Sequence, residues 1–385
     1  MARTVLVLGG GIGGVVAARE LRKGVGSSDR VILIDRDGQH LFPPSLLWVM
    51  EGTRKPDAIV KNLERLRRKG IEVIVGTVTG IDTDNRRVAT DAGELDYDAL
   101  VISLGAELAP DLMPGFAEAA VTPFDLAGAQ ATRDAIAGFD ADKIVVMIAS
   151  LPYKCPAAPY ETAMFIDHAL RKREVRGGVE IEFITPEPQP MPAAGPELGR
   201  IVEMALAARR ITYRPGLNPE SIDVDGKEVV LAGGERVGFD LLVGIPPHRP
   251  PAVIRESGLA NEAGWIPVNH NTLTTPVPGV FAIGDVTAIM TPSGMPLPKA
   301  GVFAEGQAKT AAAGVAGFLS GEAKPTANFY GHGECFLETG GGVAGRATGN
   351  FYAEPKPRVK FNMPGRIWHW QKWVFEKWWM FRWAP

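Results

Sequence analysis

The sequence predicts an α/β fold with two Rossmann-like dinucleotide-binding domains, one inserted in the other, followed by a C-terminal amphipathic membrane-binding segment. Three observations predict it. A glycine-rich turn joins an apolar run to a helical pattern near the N-terminus. A second strand, helix, strand pattern fills the middle of the chain. Six of the eight tryptophans fall within residues 366–385. A length of 385 residues allows two or three such units.

The first dinucleotide site begins directly after the apolar run TVLVL. Gly9 allows a tight turn, Gly11 lets the backbone approach a pyrophosphate, and Gly14 lets the following helix pack against the strand. The helix N-terminus then offers free N–H groups and a partial positive charge. A second strand, VILID, ends in Asp35, 21 residues after Gly14, with Arg36 beside it. This order of elements is what a dinucleotide fingerprint requires, with Asp35 accepting the ribose hydroxyls.

Two distant segments complete this first domain. The run VISLGA ends in a glycine turn at Gly105, and GVFAIGDV is a buried strand that ends in Gly284 and Asp285. The Asp285 carboxylate is suited to a ribitol hydroxyl. We therefore expect residues 1–106 and 266–330 to form one discontinuous domain.

Residues 107–265 are predicted to form the second, inserted domain. Its first strand, KIVVMIAS, is followed by the turn SLPYKCPAAPYE rather than by glycines. Prolines remove N–H donors and fix φ, and Tyr153, Lys154 and Cys155 add bulk where backbone would have to approach phosphates. We expect this domain not to bind NAD(P)H.

The last 20 residues, 366–385, have an unusual composition. Apolar residues recur at helical spacing, and a narrow polar stripe lies between them. The apolar positions are Ile367, Trp370, Val374, Trp378 and Phe381, and the polar ones are His369, Lys372 and Glu376. Tryptophan prefers the membrane interface and basic side chains suit anionic headgroups, while the charges exclude a simple span. The pattern predicts a monotopic anchor; the alternative is a helix packed in a dimer interface.

Composition limits the remaining possibilities. A net charge of −3 gives no reason to expect nucleic acid as a partner. Two cysteines, Cys155 and Cys335, exclude a disulfide scaffold but leave room for one redox pair. No metal-ligand set is predicted. The N-terminus does not resemble a secretory signal, so we expect synthesis and residence on the cytoplasmic side.

Several motifs resemble those of known flavoproteins. GGGIGG with Asp35, VISLGA and GVFAIGDV are similar to the FAD-binding segments of the two-dinucleotide-domain flavoprotein superfamily. KCPAAPYE and GECFLE, which contain Cys155 and Cys335, resemble the two cysteine motifs of sulfide:quinone oxidoreductases and of the flavoprotein subunit of flavocytochrome c sulfide dehydrogenases. PKAGVFAEGQ resembles the family's segment beside the flavin ring.

The resemblance implies a noncovalent FAD and a set of site residues. Hydrosulfide attacks a sulfur linked to Cys155, the thiol matched by Cys335 passes an electron pair to the flavin, and Glu161 transfers a proton. Lys299 would place a positive charge near the flavin pyrimidine edge. Other interpretations remain open: each cysteine as a small buried hydrophobe, Lys299 as a surface lysine, and Glu161 as an acid favoured in a first helical turn by the helix dipole.

The function implied is oxidation of hydrogen sulfide to polysulfide or sulfur, with electrons passed through FAD to ubiquinone or menaquinone. We expect a peripheral enzyme on the cytoplasmic face of the cell membrane, with Phe361 or Trp368 near the quinone entrance. One alternative is a type II NADH:quinone dehydrogenase. Another is a sulfide dehydrogenase subunit that passes electrons to a haem partner. The oligomeric state stays open, a homo-oligomer included.

Overall fold

The computed structural model describes residues 2–322 and 327–385. Its first sheet has five parallel strands, and the central strand, Thr4–Leu8, is flanked on both sides by other strands. Val5, Leu6, Val7 and Leu8 are fully buried, as expected for a parallel strand covered on both faces. In spatial order the strands are Val280–Ala282, Ala99–Ile102, Thr4–Leu8, Arg30–Asp35 and Glu72–Val75.

A second sheet of five parallel strands is built from the middle of the chain. Its central strand carries the run KIVVMI, in which every residue after the lysine is buried. In spatial order the strands are Ala120–Val121, Leu241–Ile245, Lys143–Ile148, Glu180–Ile184 and Ile211–Arg214. The fold is thus an α/β fold with two parallel, Rossmann-like sheets, as the sequence predicts.

Helices connect and cover these sheets. Within the described residues the α-helices are α1 (Ile12–Gly24), α2 (Leu46–Glu51), α3 (Phe116–Ala119), α4 (Leu126–Ala137), α5 (Ala158–Lys172), α6 (Pro196–Ala207), α7 (Ala252–Glu256), α8 (Gly301–Leu319) and α9 (Arg366–Arg382). Helices α1 and α8 pack closely against each other beside the first sheet. Small residues on both, such as Ala17, Ala308 and Ala311, are completely buried and permit this approach.

Smaller antiparallel sheets extend the two domains. Three of them have three strands each, and the last of these precedes α9. They consist of Val78–Asp82, Arg87–Thr90 and Gly93–Asp96; Pro219–Asp223, Glu228–Leu231 and Arg236–Gly238; and His332–Glu338, Ala344–Asn350 and Arg358–Gly365. Two-stranded antiparallel pairs join Gln39–Leu41 to Val60–Asn62 and Glu107–Leu108 to His248–Arg249, and a parallel pair joins Ile266–Pro267 to Thr287–Ala288.

Helix α9 faces the protein with its polar side. Lys372, Glu376 and Trp379 are buried, whereas Trp370 is 61% exposed and Phe381 is 88% exposed. Ile367, Val374 and Trp378 are exposed as well. The polar stripe therefore points inward and the apolar row points outward, the reverse of an ordinary surface helix. Within residues 2–322 and 327–385, no helix has the length and hydropathy needed to cross a membrane.

Candidate active site

The turn that carries Cys155 is held against the first domain. The Cys155 N–H donates to the Lys299 carbonyl at 2.7 Å, and the Cys155 carbonyl accepts from the Ala158 N–H at 3.0 Å, where α5 begins. Cys155 has a φ of 57°, in the left-handed region that residues with a side chain seldom occupy. Strained residues of this kind occur most often at functional sites, where the surrounding structure fixes them.

Cys335 lies on the strand His332–Glu338 and faces a cavity of about 380 Å³. The cavity is mostly apolar, and its size is typical of a small-molecule site. Cys335 has accessible surface because it faces this cavity, although protein surrounds it on the other sides. The cavity wall also includes Tyr153, Pro156, Glu187, Trp265, Lys299 and Phe361.

The two thiols share one electrostatic environment. Burial, together with the nearby Glu161, raises the pKa of Cys155 to about 12, and Lys372 opposes both effects. Burial also raises the pKa of Cys335, with Glu161 and then Cys155 adding to the shift and Lys372 again opposing it. Because the thiolate is the reactive form of cysteine, formation of a nucleophile here depends on a nearby cation. Lys372 is that cation.

Lys372 lies between two buried carboxylates. Its Nζ is 3.7 Å from an oxygen of Glu161 and 3.6 Å from an oxygen of Glu338. Burial lowers the pKa of Lys372, but the two carboxylates outweigh burial and leave the pKa raised. Burial raises the pKa of Glu161 in spite of Lys372 and of the Glu338 N–H, which donates to Glu161 at 2.8 Å. Glu161 is thus a deeply buried acid that contacts a cation, in addition to lying in the first turn of α5.

The glycine turn has the local geometry that its sequence predicts. Gly9 has a φ of +98°, and a Cβ there would lie 2.4 Å from the Ser103 carbonyl oxygen. A Cβ on Gly14 would lie 1.8 Å from the Gly9 oxygen, so only glycine allows α1 to approach the strand. A Cβ on Gly11 would meet open space, and Gly105 has a φ of +71° with the same open surroundings.

The acid after the second strand is held by the same turn. Asp35 accepts from the Gly10 N–H at 2.7 Å through one oxygen and from the N–H groups of Asp37 and Gly38 through the other. Arg36 is exposed and pairs with the Asp37 carboxylate at 3.2 Å. The carboxylate of Asp35 is therefore fixed at the edge of the glycine turn, close to the N-terminus of α1.

Lys299 is anchored beside the Gly284–Asp285 turn. Its ammonium donates to the carbonyl oxygens of Asp285 and Thr287 and lies 3.7 Å from the centroid of the Trp265 ring. Burial lowers the pKa of Lys299 to about 8, while the Asp285 charge acts in the opposite direction. Burial raises the pKa of Asp285, and the charges of Lys299 and Lys154 act against this shift. Lys299 is partly buried and immobilised, unlike a plain surface lysine.

In the inserted domain, tyrosine hydroxyls occupy the carboxylate at the position that would accept a ribose. Glu187 follows its second strand, where a dinucleotide domain has the carboxylate that accepts ribose hydroxyls. Here Glu187 is 4% exposed and accepts from the hydroxyls of Tyr153, at 3.0 Å, and Tyr160. Tyr153 belongs to the cysteine turn and Tyr160 to α5. The turn that would bind phosphates and the carboxylate that would accept ribose hydroxyls are therefore both altered.

Sequence reasoning missed three of these residues. Glu187 carries no motif signal, and Glu338 ends the GECFLE motif, three residues after Cys335, without being singled out there. Lys372 appears in the sequence only as part of a polar stripe, which on an ordinary helix would face water. The one available signal is the wide apolar surface around that stripe, which indicates that the polar side is the buried one.

The fold and this arrangement of glycine turn, acid and thiols define a flavin-type disulfide oxidoreductase architecture. The chain belongs to the pyridine nucleotide-disulphide oxidoreductase family, whose pattern matches residues 3–313.

Individual relatives narrow the comparison. The chain is 26% identical over 305 residues to the mitochondrial sulfide:quinone oxidoreductase of Mus musculus, a match that covers 74% of this chain and 66% of the mouse protein, just under two thirds of its length. It is 29% identical over 327 residues to the sulfide-quinone reductase of Aquifex aeolicus, covering 81% of this chain and 76% of that protein. The solved structure of the Aquifex aeolicus sulfide:quinone oxidoreductase superposes with a TM-score of 0.89 at 25% identity, covering 100% of this chain and 92% of that one.

FAD is the cofactor of this class, and the described residues fit it. Helices α1 and α8 both begin without a side-chain cap and without an acid in the first turn, so their N–H groups are available to an anionic or polar ligand. Open space above Gly11 and the fixed carboxylate of Asp35 lie at the first of these N-termini. Asp285 and Lys299 lie near the second.

Proposed function

We propose that this chain is a sulfide:quinone oxidoreductase, which oxidises hydrogen sulfide to polysulfide or sulfur at Cys155 and Cys335 and passes electrons through FAD to a membrane quinone, ubiquinone or menaquinone. One observation carries the proposal. The two cysteines, 180 positions apart in the sequence, interact electrostatically with each other and with the same buried charges, and Cys335 lines the apolar cavity together with Tyr153 and Pro156 of the turn that carries Cys155.

The chemistry of the proposed centre balances with two cysteines. Hydrosulfide attacks the oxidised pair, HS⁻ + Cys155–S–S–Cys335 → Cys155–S–SH + Cys335–S⁻, so one S–S bond breaks and one forms. Per sulfur, the whole reaction is HS⁻ + quinone + H⁺ → S⁰ + quinol. FAD, when bound, supplies the two-electron acceptor between sulfur and quinone. The chain orients the thiols, stabilises the Cys335 thiolate through Lys372, and places Glu161 to take the persulfide proton.

We propose that the cofactor is held by the residues the sequence indicates. Gly9, Gly11 and Gly14 would admit the pyrophosphate at the N-terminus of α1, with Asp35 on the ribose and Arg36 beside it. At the other end of FAD, Gly284 and Asp285 would hold the ribitol, Gly105 would leave room for it, and Lys299 would place its charge near the pyrimidine edge. The contacts of Lys299 with two carbonyls and with Trp265 support a fixed orientation.

The same proposal divides the chain into domains. Residues 1–106 and 266–330 form the FAD-binding domain, which the pairing of Val280–Ala282 with Ala99–Ile102 supports. Residues 107–265 form the second domain, and residues 331–385 carry Cys335 and the membrane anchor.

The outward apolar row of α9 supports a peripheral membrane location. Exposed tryptophans with Arg366, Lys377 and Arg382 nearby suit the interface between headgroups and acyl chains. A quinone dissolved in the bilayer would reach the site from this side, near Phe361, which lines the cavity. We propose attachment to the cytoplasmic face of the cell membrane.

The alternative with NADH as donor is disfavoured by Glu187. Its carboxylate accepts from two tyrosine hydroxyls, and the preceding turn has prolines in place of glycines, so neither the ribose nor the phosphates of NADH would find their usual partners. The alternative with a haem partner leaves the outward apolar row of α9 without a role.

Anaerobic titration of the FAD-loaded protein distinguishes these functions. Sulfide should bleach the flavin absorbance, NADH should not, and a water-soluble quinone should restore the colour without any added haem protein. Bleaching by NADH alone would contradict the proposal, as would failure of quinone to reoxidise the flavin.

Cys335→Ser is the sharpest variant for the same titration. We expect it to abolish flavin reduction by sulfide, because no thiolate remains to pass electrons onward. Flavin content, measured by absorbance after reconstitution, serves as the control and should be unchanged. Normal reduction by sulfide in Cys335→Ser would refute the role of this thiol.

A further inference from the structure

A row of ionisable side chains runs from the cysteine centre to the protein surface. Glu161 Oε1 is 3.7 Å from Lys372 Nζ, and the same Nζ is 3.6 Å from Glu338 Oε1. Glu338 in turn contacts His369 Nδ1 at 3.1 Å through both of its oxygens. The side chains of Glu161, Glu338 and Lys372 are at most 9% exposed, whereas His369 is 26% exposed.

Such a row is costly to bury. Removing charges from water usually costs more than their mutual attraction returns, and apolar residues of similar size are often as stable or more so. The row links three separate elements: α5, the strand that carries Cys335, and α9. At the inner end of the row, Glu161 raises the pKa of both thiols and Lys372 lowers it. A purely structural ion pair would not need an outer end at the surface.

We infer that Glu161, Lys372, Glu338 and His369 form a proton path between the cysteine centre and the surface of the protein. The inference rests on the proposed function. Oxidation of HS⁻ to sulfur releases one proton and two electrons at the cysteine centre, while the quinone takes up its two protons elsewhere. Glu161 takes the released proton. Lys372 donates a proton to Glu338 and is reprotonated from Glu161, and Glu338 passes a proton to His369, which gives it to the solvent.

Other titratable groups face the outer end of the path. Glu51 interacts electrostatically with Glu338, His369 and His168. Trp48 covers the path from α2, with its ring edge-on to His369 at 5.6 Å and its face 4.8 Å from Lys372 Nζ. The aromatic ring screens the middle of the path from water, which leaves His369 as its outermost member.

The test uses the FAD-loaded enzyme with sulfide and a soluble quinone. His369→Ala should lower turnover roughly 100-fold, within the usual range for loss of a positioned proton-transfer group. Imidazole added to the solution should restore much of the rate, because it can enter the space left by the side chain and carry protons out. A pH-indicator dye in a stopped-flow instrument should show that proton release slows together with flavin reduction by sulfide.

The matched control is His270→Ala, a histidine away from the path that packs edge-on to Tyr352. It should keep wild-type turnover and show no response to imidazole. If His369→Ala turns over normally, or is slow and not rescued, the path is refuted. Glu338→Gln gives a second check that keeps the side-chain shape: we expect slow turnover with an enlarged solvent deuterium isotope effect, and a wild-type rate would overturn the inference.

The two proposals fail in different ways. If sulfide does not reduce the flavin of the wild-type enzyme, the proposed function is wrong and the path with it. If wild-type turnover is normal and only the rescue fails, the proton path alone is wrong.

Discussion

At the scale of single residues, Lys372 is the cation that acts on both thiols of the site. Both thiols have raised pKa values because they are buried near Glu161, and Lys372 is the cation that opposes this in each case. Its ammonium also separates Glu161 from Glu338, two carboxylates that would otherwise repel each other in a low-dielectric environment. We therefore expect the reactivity of Cys155 and Cys335 to depend on a residue from the last helix of the chain.

Replacing this charge tests that dependence. Lys372→Met should slow alkylation of both cysteines by iodoacetamide at a fixed pH, because the thiolate loses its counter-charge. Stability should fall by about 3–5 kcal/mol, since one partner of a buried ion pair is removed. Denaturant unfolding measures the second effect.

Lys372→Arg is the matched control, because it retains the positive charge. It should alkylate at a rate closer to the wild type than Lys372→Met does. Equal rates in wild type and Lys372→Met would show that Lys372 does not influence the thiols.

At the scale of elements, α9 has two different faces. Glu376 accepts from the Ser45 hydroxyl and the Arg54 guanidinium, and Trp379 donates to Glu305 on α8 at 3.0 Å. The opposite face exposes its apolar row. Deleting the helix would therefore remove core contacts as well as the proposed anchor, so point substitutions are the better test of membrane binding.

Two adjacent tryptophans separate these roles. Trp379 is 1% exposed and Trp378 is 49% exposed. Trp379→Ala should cost about 3–5 kcal/mol of unfolding free energy, as expected for a large buried aromatic. Trp378→Ala should change stability by no more than about 0.5 kcal/mol, but should weaken binding to vesicles that contain anionic lipid. Chemical denaturation and vesicle sedimentation measure the two effects.

Met204→Ala provides the control for exposed apolar area, because Met204 is 71% exposed but lies on α6. It should sediment with vesicles as the wild type does. If Trp378→Ala and Met204→Ala bind vesicles equally well, the outward face of α9 is not the anchor, and a dimer interface becomes the better explanation.

At the scale of the whole molecule, α9 connects to the glycine turn through one histidine. The His40 ring stacks on Trp379 with centroids 5.2 Å apart, and its Nδ1 lies 2.9 Å from the Gly10 carbonyl oxygen. His40 is fully buried, and burial lowers its pKa to about 4. The proposed membrane helix and the proposed FAD-binding turn thus meet at a neutral imidazole.

This burial predicts a pH dependence of stability. As pH falls below about 6.5, His40 gains a proton in the unfolded chain but not in the folded protein until about pH 4. The unfolded state then binds more protons, so the unfolding free energy should fall between pH 6.5 and 4, by on the order of 3 kcal/mol from this group.

Denaturant unfolding at several pH values measures the effect. His40→Gln can still donate to the Gly10 carbonyl but does not titrate, so its stability should fall less steeply over the same range. His248, whose pKa burial lowers to about 3, contributes to the remaining slope in both proteins. Identical slopes would show that His40 does not cause the acid sensitivity.

The sequence by itself determined the parts of the protein that depend on local geometry. Gly9 and Gly14 are required where φ is positive or where a Cβ would meet backbone, and a strand–turn–helix pattern shows such positions directly. The apolar runs of the two parallel sheets are equally readable, because strands covered on both faces need continuous apolar residues. The proline-containing turn at Cys155 likewise predicts the loss of a phosphate site.

Only the tertiary structure decided which distant groups meet. Periodicity identifies the polar stripe of α9 but cannot say whether it faces water or the interior, because that depends on what packs against the helix. The charges of Glu161 and Glu338 made the inward orientation favourable for Lys372. Glu187 shows the same limit: its role follows from tyrosines brought to it by the fold. Electrostatic interactions of this kind act through space, so sequence distance does not reveal them.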